Sequence, residues 1–500
     1  MGIVQKDAFR TMLLSYLGII IGYVNKGILF LLILTTNQIG LVNLLLTVGL
    51  FFAQVANFGT INTVSKFFWI LRNENRGHYG FFKVLLYTVA VGILITTLLF
   101  FFSMKMVTGF YSEKSPDFIS YYYWIIPIGI ANVMYTLLES YMRAMFKNVI
   151  SVFVYEVVLR LLLTVLLLTF SFGLFDFDVF IAFFSLIYFV PVLVLFIYFF
   201  HLGELKHLKE KITIPKRLTR ILFQYGVFSY MNSLGGIAIT TIDVTMIASY
   251  VGLAGTGVYT TMQFFTSALQ IPFRSVFRVA SPFVPLHWKE RDMIKMNRLY
   301  KDVSSVSLFL SLLLFLLVWT NRTELFGLLP QGFEDAQWVF LFLILGRLVD
   351  VFTGINVTIL VTSKKYRVDM YMTVLMLSLV FVLNLLLIPG YGIIGAALST
   401  AIAVTFSNLL RLVYVWIVFK LHPFRWNQLI IILLGILTLV VSELISFMTD
   451  YHFITGLLIN SLCVLIFFVL PIFYFRVEEQ IVDFIRKFLD KTVGMKVGNR

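Results

Sequence analysis

The sequence contains little of what soluble enzymes are usually built from. It has one cysteine, Cys463, which excludes a disulfide framework and a metal site made of cysteines. None of its six histidines lies at metal-ligand spacing from another. Only 13% of the residues are charged, against roughly a quarter in soluble domains. No nucleotide-binding loop of the Walker type is present, which excludes ATP hydrolysis by this chain.

Apolar residues are present in large excess. They make up 60% of the 500 residues, and the mean hydropathy is +0.94. Long uncharged runs such as Leu308–Trp319 and Ile430–Val441 recur along the chain. A soluble core cannot hide so much apolar surface, so most of the chain must be surrounded by lipid. The first apolar segment, from about Thr11 to Leu34, is longer than the core of a signal peptide. We therefore expect it to be a membrane span.

The apolar runs predict an all-α polytopic membrane protein with about fourteen transmembrane helices, because about 20 apolar residues cross the bilayer core as a helix. The predicted spans lie near residues 11–35, 39–63, 81–106, 118–142, 149–172, 178–200, 222–250, 257–281, 302–320, 336–362, 368–388, 393–419, 427–448 and 453–475. With a cytoplasmic N-terminus, only Lys105, Lys114 and Arg322 fall in outside loops. The net charge of +14 therefore reflects topology rather than nucleic-acid binding, and both termini are predicted in the cytoplasm.

The two halves of the chain resemble each other. The segments GLVN from Gly40 and GVYT from Gly257 follow similar polar helices, and counting back fourteen residues reaches Lys26 and Asp243 respectively. Paired halves are typical of transporters, whose site lies near the membrane midplane. We expect two six-helix repeats around a central cavity plus two extra C-terminal helices. The predicted ranges are an N-terminal bundle at 1–201, a basic cytoplasmic linker at 202–221, a second bundle at 222–420, helices 13 and 14 at 421–476, and a cytoplasmic amphipathic tail at 477–500.

Polar side chains form stripes along the first two helices of each repeat. Such side chains are costly against hydrocarbon and should face protein or water. A single Ser, Thr or Asn is more often a hydrogen bond between helices, but four whole stripes favour a hydrated cavity. The predicted cavity-lining residues are Asn25, Asn43, Gln54, Asn57, Asn232, Gln263 and Gln270.

Charges inside the predicted spans need a partner or a function. The pairs Glu156/Arg160 and Glu139/Arg143 are four residues apart, Arg347/Asp350 are three apart, and each pair shares a helix face. For Glu156/Arg160 a local ion pair explains the spacing as well as a functional role does. Lys26 either forms an ion pair with Asp243 of the other repeat or binds a ligand. Arginine binds phosphate oxygens in two places, which suits an anionic headgroup. The predicted headgroup ligands are Lys26, Arg274, Arg278, Arg347 and Arg411, and the gating or coupling candidates are Glu139, Asp243 and Asp350.

The block NLLLIPGYGIIGAALST, residues 384–400, combines Pro389 with three glycines. It resembles the turn between helices 11 and 12 of the polysaccharide and O-antigen flippases, in the multidrug/oligosaccharidyl-lipid/polysaccharide exporter superfamily. The stretch from Tyr225 through Pro285 resembles the start of their second half, and the resemblance extends over essentially the whole chain in span order. It implies two six-helix bundles around a central cavity and transfer of undecaprenyl-diphosphate-linked glycans to the outer leaflet. It also implies that Lys26 and Arg274 are the cations that hold the headgroup.

The two extra helices resemble those of lipid II flippases, in which they form a groove for the lipid tail, although the arginine motif of that branch is absent from the first span. The predicted function is a flippase for O-antigen, capsule or exopolysaccharide units, with no enzymatic activity and no cofactor. The alternatives are a lipid II flippase and an ion-coupled multidrug antiporter. The expected partners are the lipid-linked glycan, the lipid bilayer, Na⁺ or H⁺, a glycan polymerase and glycosyltransferases. The expected location is the bacterial cytoplasmic (inner) membrane.

The topology generates the first testable prediction. A reporter fused within Leu202–Arg220 should be cytoplasmic, and one within Arg322–Asp335 should be external, because three predicted spans separate the two loops. Alkaline phosphatase and green fluorescent protein fusions measure the two locations. Finding both loops on the same side of the membrane would contradict the fourteen-helix topology.

Overall fold

The structure is a computed structural model, and it describes residues 3–73, 78–209, 211–448, 453–479 and 481. Nearly all of these residues are helical, and no strand occurs among them. The predicted all-α class is therefore confirmed. The chain divides into two compact units, Met1–Thr261 and Met262–Arg500. Most of the predicted amphipathic tail lies outside the described residues.

In the first unit, α3 and α7 pack together around a core in which Phe52 and Ile128 are fully buried. Two π turns, Asn25–Leu29 and Phe153–Val158, interrupt the helices of spans one and five. The α-helices are α1 Ile3–Val24, α2 Phe30–Ile33, α3 Thr36–Ala56, α4 Thr60–Leu71, α5 Phe81–Tyr111, α6 Pro116–Tyr121, α7 Ile125–Ala144, α8 Val149–Val152, α9 Leu159–Ser171, α10 Phe177–Leu186, α11 Phe189–His201, α12 Lys216–Tyr250 and α13 Leu253–Ala268, whose last residues belong to the second unit.

The second unit has a core cluster that includes Tyr300, Ile355 and Val415, all fully buried. Its helices are α14 Ile271–Ala280, α15 Phe283–Glu290, α16 Met293–Trp319, α17 Arg322–Gly327, α18 Ala336–Thr353, α19 Asn356–Thr362, α20 Arg367–Phe419, α21 Trp426–Met448, α22 Phe453–Val464 and α23 Leu470–Tyr474.

By length and composition, twelve helices among the described residues can cross a membrane. Two differences separate this number from the predicted fourteen. One of the twelve, α20, contains both predicted spans 11 and 12, and the predicted span 8 is not among them because it is formed by the shorter helices α13 and α14. The chain is thus a multi-pass membrane protein, and the count of fourteen stays a prediction.

The long helix α20 folds back on itself. Its 53 residues would extend about 80 Å as a straight helix, more than twice the bilayer core. Gly392 has φ 56° and ψ −135°, which no helix tolerates. Arg411, beyond this kink, binds Asp369 and Thr373 on the near side. The two segments therefore run antiparallel, with their turn in the block that contains Pro389.

Two predicted spans are broken where the sequence suggested continuous helices. Span 2 ends at Ala56, and α4 begins at Thr60 after Phe58 and Gly59 adopt positive φ. Span 8 breaks after Ala268 because Pro272 has no N–H to donate to the carbonyl four residues earlier. Both breaks fall in the polar second helix of a repeat.

The glycines at corresponding positions of the two repeats lie against each other within the first unit. A Cβ added to Gly40 would meet the carbonyl of Leu253 and the backbone nitrogen of Gly257. A Cβ added to Gly257 would meet the carbonyl of Thr36 and the nitrogen of Gly40. The backbones of α3 and α13 therefore touch at a point where neither helix carries a side chain, and we call this pair the glycine contact.

The glycine contact predicts a specific sensitivity to one methyl group. Gly257→Ala should destabilise the protein by about 1–3 kcal/mol, because the obstructing atoms are backbone and cannot rotate away. Gly109→Ala is the matched control, since a Cβ on that helical glycine meets nothing within 4 Å. Melting temperatures of the purified proteins in detergent provide the measurement. Equal behaviour of the two variants would show that the close approach is not present in the folded protein.

Candidate substrate-binding site

The first membrane helix changes from an α-helix to a π-helical turn at its polar residues. α1 passes into α2 through the π turn Asn25–Leu29, and Asn25 is 1% exposed. The Asn25 amide donates to the carbonyl of Arg160 at 2.8 Å and accepts from the Thr164 hydroxyl at 2.7 Å. π turns are rare and occur often at functional sites. Asn25, predicted to line a cavity, here joins two neighbouring helices.

Lys26 follows in the same π turn and is half-buried. Its ammonium group donates to Asn43 Oδ1 at 3.0 Å. The Asn43 amide nitrogen donates in turn to the carbonyl of Ile39 at 2.9 Å, which orients the Asn43 oxygen toward the lysine. The structure therefore brings together two predicted site residues, the cation of span 1 and the amide of span 2.

Asp243 has a corresponding arrangement in the second repeat. Its side chain is 1% exposed, and the Tyr259 hydroxyl donates to Asp243 Oδ2 at 2.8 Å. Tyr259 follows Gly257 by two residues, as Asn43 follows Gly40 by three. Each predicted repeat thus has one intramembrane charge on its first helix and a polar partner on its second, just beyond the glycine contact.

The two predicted ion pairs with i,i+4 spacing are formed. Arg160 binds Glu156 at 2.5 Å and also donates to the carbonyl of Gly18. Arg143 binds Glu139 at 3.5 Å, and the Arg143 side chain is 51% exposed. An exposed pair of this kind contributes little to stability. Glu139, the candidate carboxylate for drug or ion coupling, has a side chain that is 19% exposed, and its role stays a prediction.

Arg411 is enclosed by partners from its own hairpin. Its side chain is 7% exposed, and its Nε lies 2.8 Å from Asp369 Oδ1. The two terminal nitrogens donate to Ser407 at 2.8 Å and to Thr373 at 3.0 Å. These contacts satisfy the guanidinium within the protein. The assignment of Arg411 as a headgroup ligand gains no support from these surroundings and stays a prediction.

Arg347 and Asp350 have partners on other helices. Arg347 Nε donates to the Thr266 hydroxyl at 3.2 Å, and Asn408 Nδ2 donates to Asp350 Oδ1 at 3.0 Å. Both side chains are half-buried. Arg274 and Arg278, by contrast, are exposed on α14 and make no ion pair with any described acidic residue. These two guanidiniums are the more accessible of the predicted cations in the second unit.

The remaining residues of the predicted polar stripes differ in their surroundings. Asn57 is 2% exposed and accepts from the Thr60 hydroxyl at 3.1 Å, so it caps the break between α3 and α4. Gln54, Gln263 and Gln270 are half-buried. The side chain of Asn232 lies outside the described part of the chain. No group of three or more His, Cys, Asp or Glu that could hold a metal occurs among the described residues.

Sequence reasoning missed the partners that stand near helix ends. Asp369 lies at the start of the predicted span 11, and it is 6% exposed. Asn408 lies in span 12, outside the first two helices of each repeat to which the predicted stripes belong. Neither residue carries a sequence signal of this role, because each acquires it from a partner on another helical segment: Asp369 from Arg411, and Asn408 from Asp350.

An apolar groove runs along the membrane-spanning part of the second unit, between α16, α18 and α21, with a volume of about 430 Å³. Gly435 lines the groove without a side chain, and Trp319 lines it at the C-terminal end of α16. The other lining residues are Leu308, Leu312, Phe315, Leu341, Leu345, Leu348, Val349, Phe352, Ile432, Ile436 and Leu439. It has the chemistry of a site for a hydrocarbon chain.

The chain belongs to a known family. A sequence model of the family described as "Polysaccharide biosynthesis protein" matches residues 4–286, more than half of the chain. The fold and the family together define a polytopic membrane protein of the polysaccharide biosynthesis class, as the resemblance of the sequence implied.

Two curated archaeal proteins are similar in sequence. One is an uncharacterised membrane protein of Methanocaldococcus jannaschii, 25% identical over 295 residues, which covers 56% of this chain and 57% of that protein. The other is the probable low-salt glycan biosynthesis flippase Agl15 of Haloferax volcanii, 24% identical over 259 residues, which covers 50% of this chain and 54% of that protein. The chain thus spans about half the length of the curated relatives it matches.

Solved structures with the same fold cover most of the chain. The lipid II flippase MurJ in its inward closed conformation has a TM-score of 0.70 at 15% identity, covering 95% of this chain and 99% of that one. An inward-facing multidrug resistance MATE family transporter of the MOP superfamily has a TM-score of 0.61 at 10% identity, covering 81% and 97%. The described chain therefore has the fold shared by these transporters.

The buried ion pair of the second unit predicts a double-variant effect. Arg411→Gln should cost about 3–5 kcal/mol because it leaves the Asp369 carboxylate buried and without its cation. Asp369→Asn in the same protein should restore most of that loss, since both charges are then absent. The melting temperatures of the single and double variants measure the effect. If the double variant is no more stable than Arg411→Gln, the pair does not exist as described.

Proposed function

We propose that the protein is a flippase that moves undecaprenyl-diphosphate-linked oligosaccharide from the inner to the outer leaflet by alternating access. The observation that carries the proposal is the ammonium group of Lys26, placed in a membrane-spanning helix and bound by the uncharged amide of Asn43, in a member of the polysaccharide biosynthesis family. The ammonium group is a cation inside a membrane span, and phosphate oxygens are strong acceptors for such a donor. An anionic diphosphate therefore matches the charge that this helix carries.

The accessible guanidinium of Arg274 supports the same substrate. It is exposed and makes no ion pair with a described acid, so its five N–H donors are available for phosphate oxygens. A lipophilic cation, the substrate class of a drug antiporter, would be repelled by both groups. The apolar groove between α16, α18 and α21 supplies a second element, a surface for a polyprenyl chain.

A lipid II flippase and an ion-coupled antiporter are the competing functions. The likeness to the MurJ structure supports the first in fold only, because a likeness at 15% identity gives no information about the substrate. Transport coupled to Na⁺ or H⁺, delivery to a glycan polymerase and a site in the bacterial cytoplasmic membrane complete the proposal. A reconstituted assay that offers undecaprenyl-diphosphate oligosaccharide, lipid II and a cationic dye to the same proteoliposomes distinguishes the three functions.

The charge of the proposed site generates a quantitative prediction. Lys26→Gln and Arg274→Gln should each lower the affinity for the lipid-linked glycan on the order of 10-fold, because charge-assisted hydrogen bonds contribute about 1.5–3 kcal/mol and neutral ones about 1. Lys365→Gln is the control, since it removes an equal charge from an exposed residue outside the proposed site. Flipping by purified protein in proteoliposomes is the measurement.

A second variant tests the structural alternative for Lys26. If Lys26 serves only to compensate Asp243, then Asp243→Asn should rescue Lys26→Gln completely, since no buried carboxylate is left without a cation. Full rescue would remove Lys26 from the substrate site. No rescue, with a parallel loss in Arg274→Gln, is the result that we expect.

A further inference from the structure

The loop between α20 and α21 borders an open groove that the proposed transport does not use. The groove has a volume of about 800 Å³ and lies at the end of these helices that the positive-inside rule assigns to the cytoplasm. It is lined by Lys301, Trp416, His422, Phe424, Arg425, Trp426, Asn427 and Leu429. We call it the loop groove.

The acidic residues beside the loop groove are already occupied by Arg425. One of its terminal nitrogens lies 2.6 Å from Asp302 Oδ1, and the other binds Glu478, which also accepts from the Asn427 amide at 3.1 Å. Glu478 is 3% exposed. Both carboxylates thus form their ion pairs with Arg425, and neither forms one with Lys301.

Lys301 is the other basic residue that lines the loop groove. It stands on α16 next to Asp302, is half-buried, and makes no ion pair with any described acidic residue. Burial and the positive charge of Lys301 lower the pKa of His422, so the imidazole is neutral at neutral pH. The backbone N–H of His422 donates to Asn297 at 3.1 Å, which fixes the loop against α16.

Aromatic side chains form one part of the lining of the loop groove. Trp416, His422 and Phe424 contact each other, with ring centroids 6.1 to 6.2 Å apart. Trp416 is 50% exposed in the last turn of α20, and Trp426 is 84% exposed in the first turn of α21. Indole rings at the ends of membrane helices lie at the headgroup level of a bilayer. Leu429, one turn further into α21, is 48% exposed.

We propose that the loop groove binds one anionic phospholipid of the surrounding bilayer, with its phosphate at Lys301, its glycerol region against Trp416 and Trp426, and an acyl chain along Leu429. Charge complementarity argues for an anion, and the apolar lining at membrane depth argues for a lipid rather than free phosphate. The bound headgroup would lie between α16, α20 and α21. It would therefore stabilise the junction where the last helices of the chain join the preceding ones.

Native mass spectrometry of the purified full-length protein tests the proposal. The protein is released from mixed micelles with phosphatidylglycerol, phosphatidylcholine of the same chains, or undecaprenyl diphosphate. We expect phosphatidylglycerol to be retained in preference to phosphatidylcholine, and Lys301→Gln to reduce its retention roughly fivefold, the effect of one basic group at an anionic membrane surface. Lys301→Arg should retain it, and Lys365→Gln, which removes an exposed lysine away from the groove, should leave it unchanged.

Three results would overturn the proposal. These are equal retention of the two phospholipids, equal effects of Lys301→Gln and Lys365→Gln, and retention of undecaprenyl diphosphate alone at this site. A melting temperature that phosphatidylglycerol raises in the wild type and in Lys365→Gln, but not in Lys301→Gln, would support it even if absolute affinities are weak. None of these readouts requires transport, so the failure of the flippase proposal and the failure of this one are distinguishable.

Discussion

A charge in hydrocarbon that lacks a partner is the most expensive feature a membrane helix can carry, and its avoidance organises this structure. Arg160 meets Glu156, Arg411 meets Asp369, and the Asp243 carboxylate receives the hydroxyl of Tyr259. In the last two cases the partner comes from another helix, or from another segment of a folded helix. These polar contacts therefore help to determine which helices lie side by side. Apolar packing alone specifies this less well, because the helix surfaces and the lipid tails are equally apolar.

The intramembrane charges differ in the partners that surround them. Arg411 has a carboxylate and two hydroxyls in a site that is 7% exposed, an arrangement with few means of releasing the guanidinium. Lys26 donates to the neutral amide oxygen of Asn43 at 3.0 Å. Arg274 is exposed. The surroundings of these cations thus differ through their contacts rather than through residue type, and their assignment to a headgroup stays a proposal.

The sequence alone predicts what depends on local spacing. The all-helical class follows from apolar runs of bilayer length, and the i,i+4 pairs at Glu156 and Glu139 follow from helix geometry. The helix break after Ala268 is predictable from Pro272, which lies four residues later. The polar residues around it indicate a cavity-lining face and say nothing about the break. The pairing of Arg411 with Asp369 was not readable. It depends on how tightly the chain reverses at Gly392, and spacing along the sequence contains no such information.

The glycine contact has a consequence for how the two repeats diverge. Where two backbones touch, a side chain at either position needs the same space between the helices. The first substitution, at Gly40 or at Gly257, therefore forces the two helices apart. A second substitution at the other position then finds the helices already separated and costs less than it would alone. The two codons are therefore subject to epistasis of a definite sign. Once one glycine is lost, purifying selection on the other relaxes, and both repeats drift at this point together.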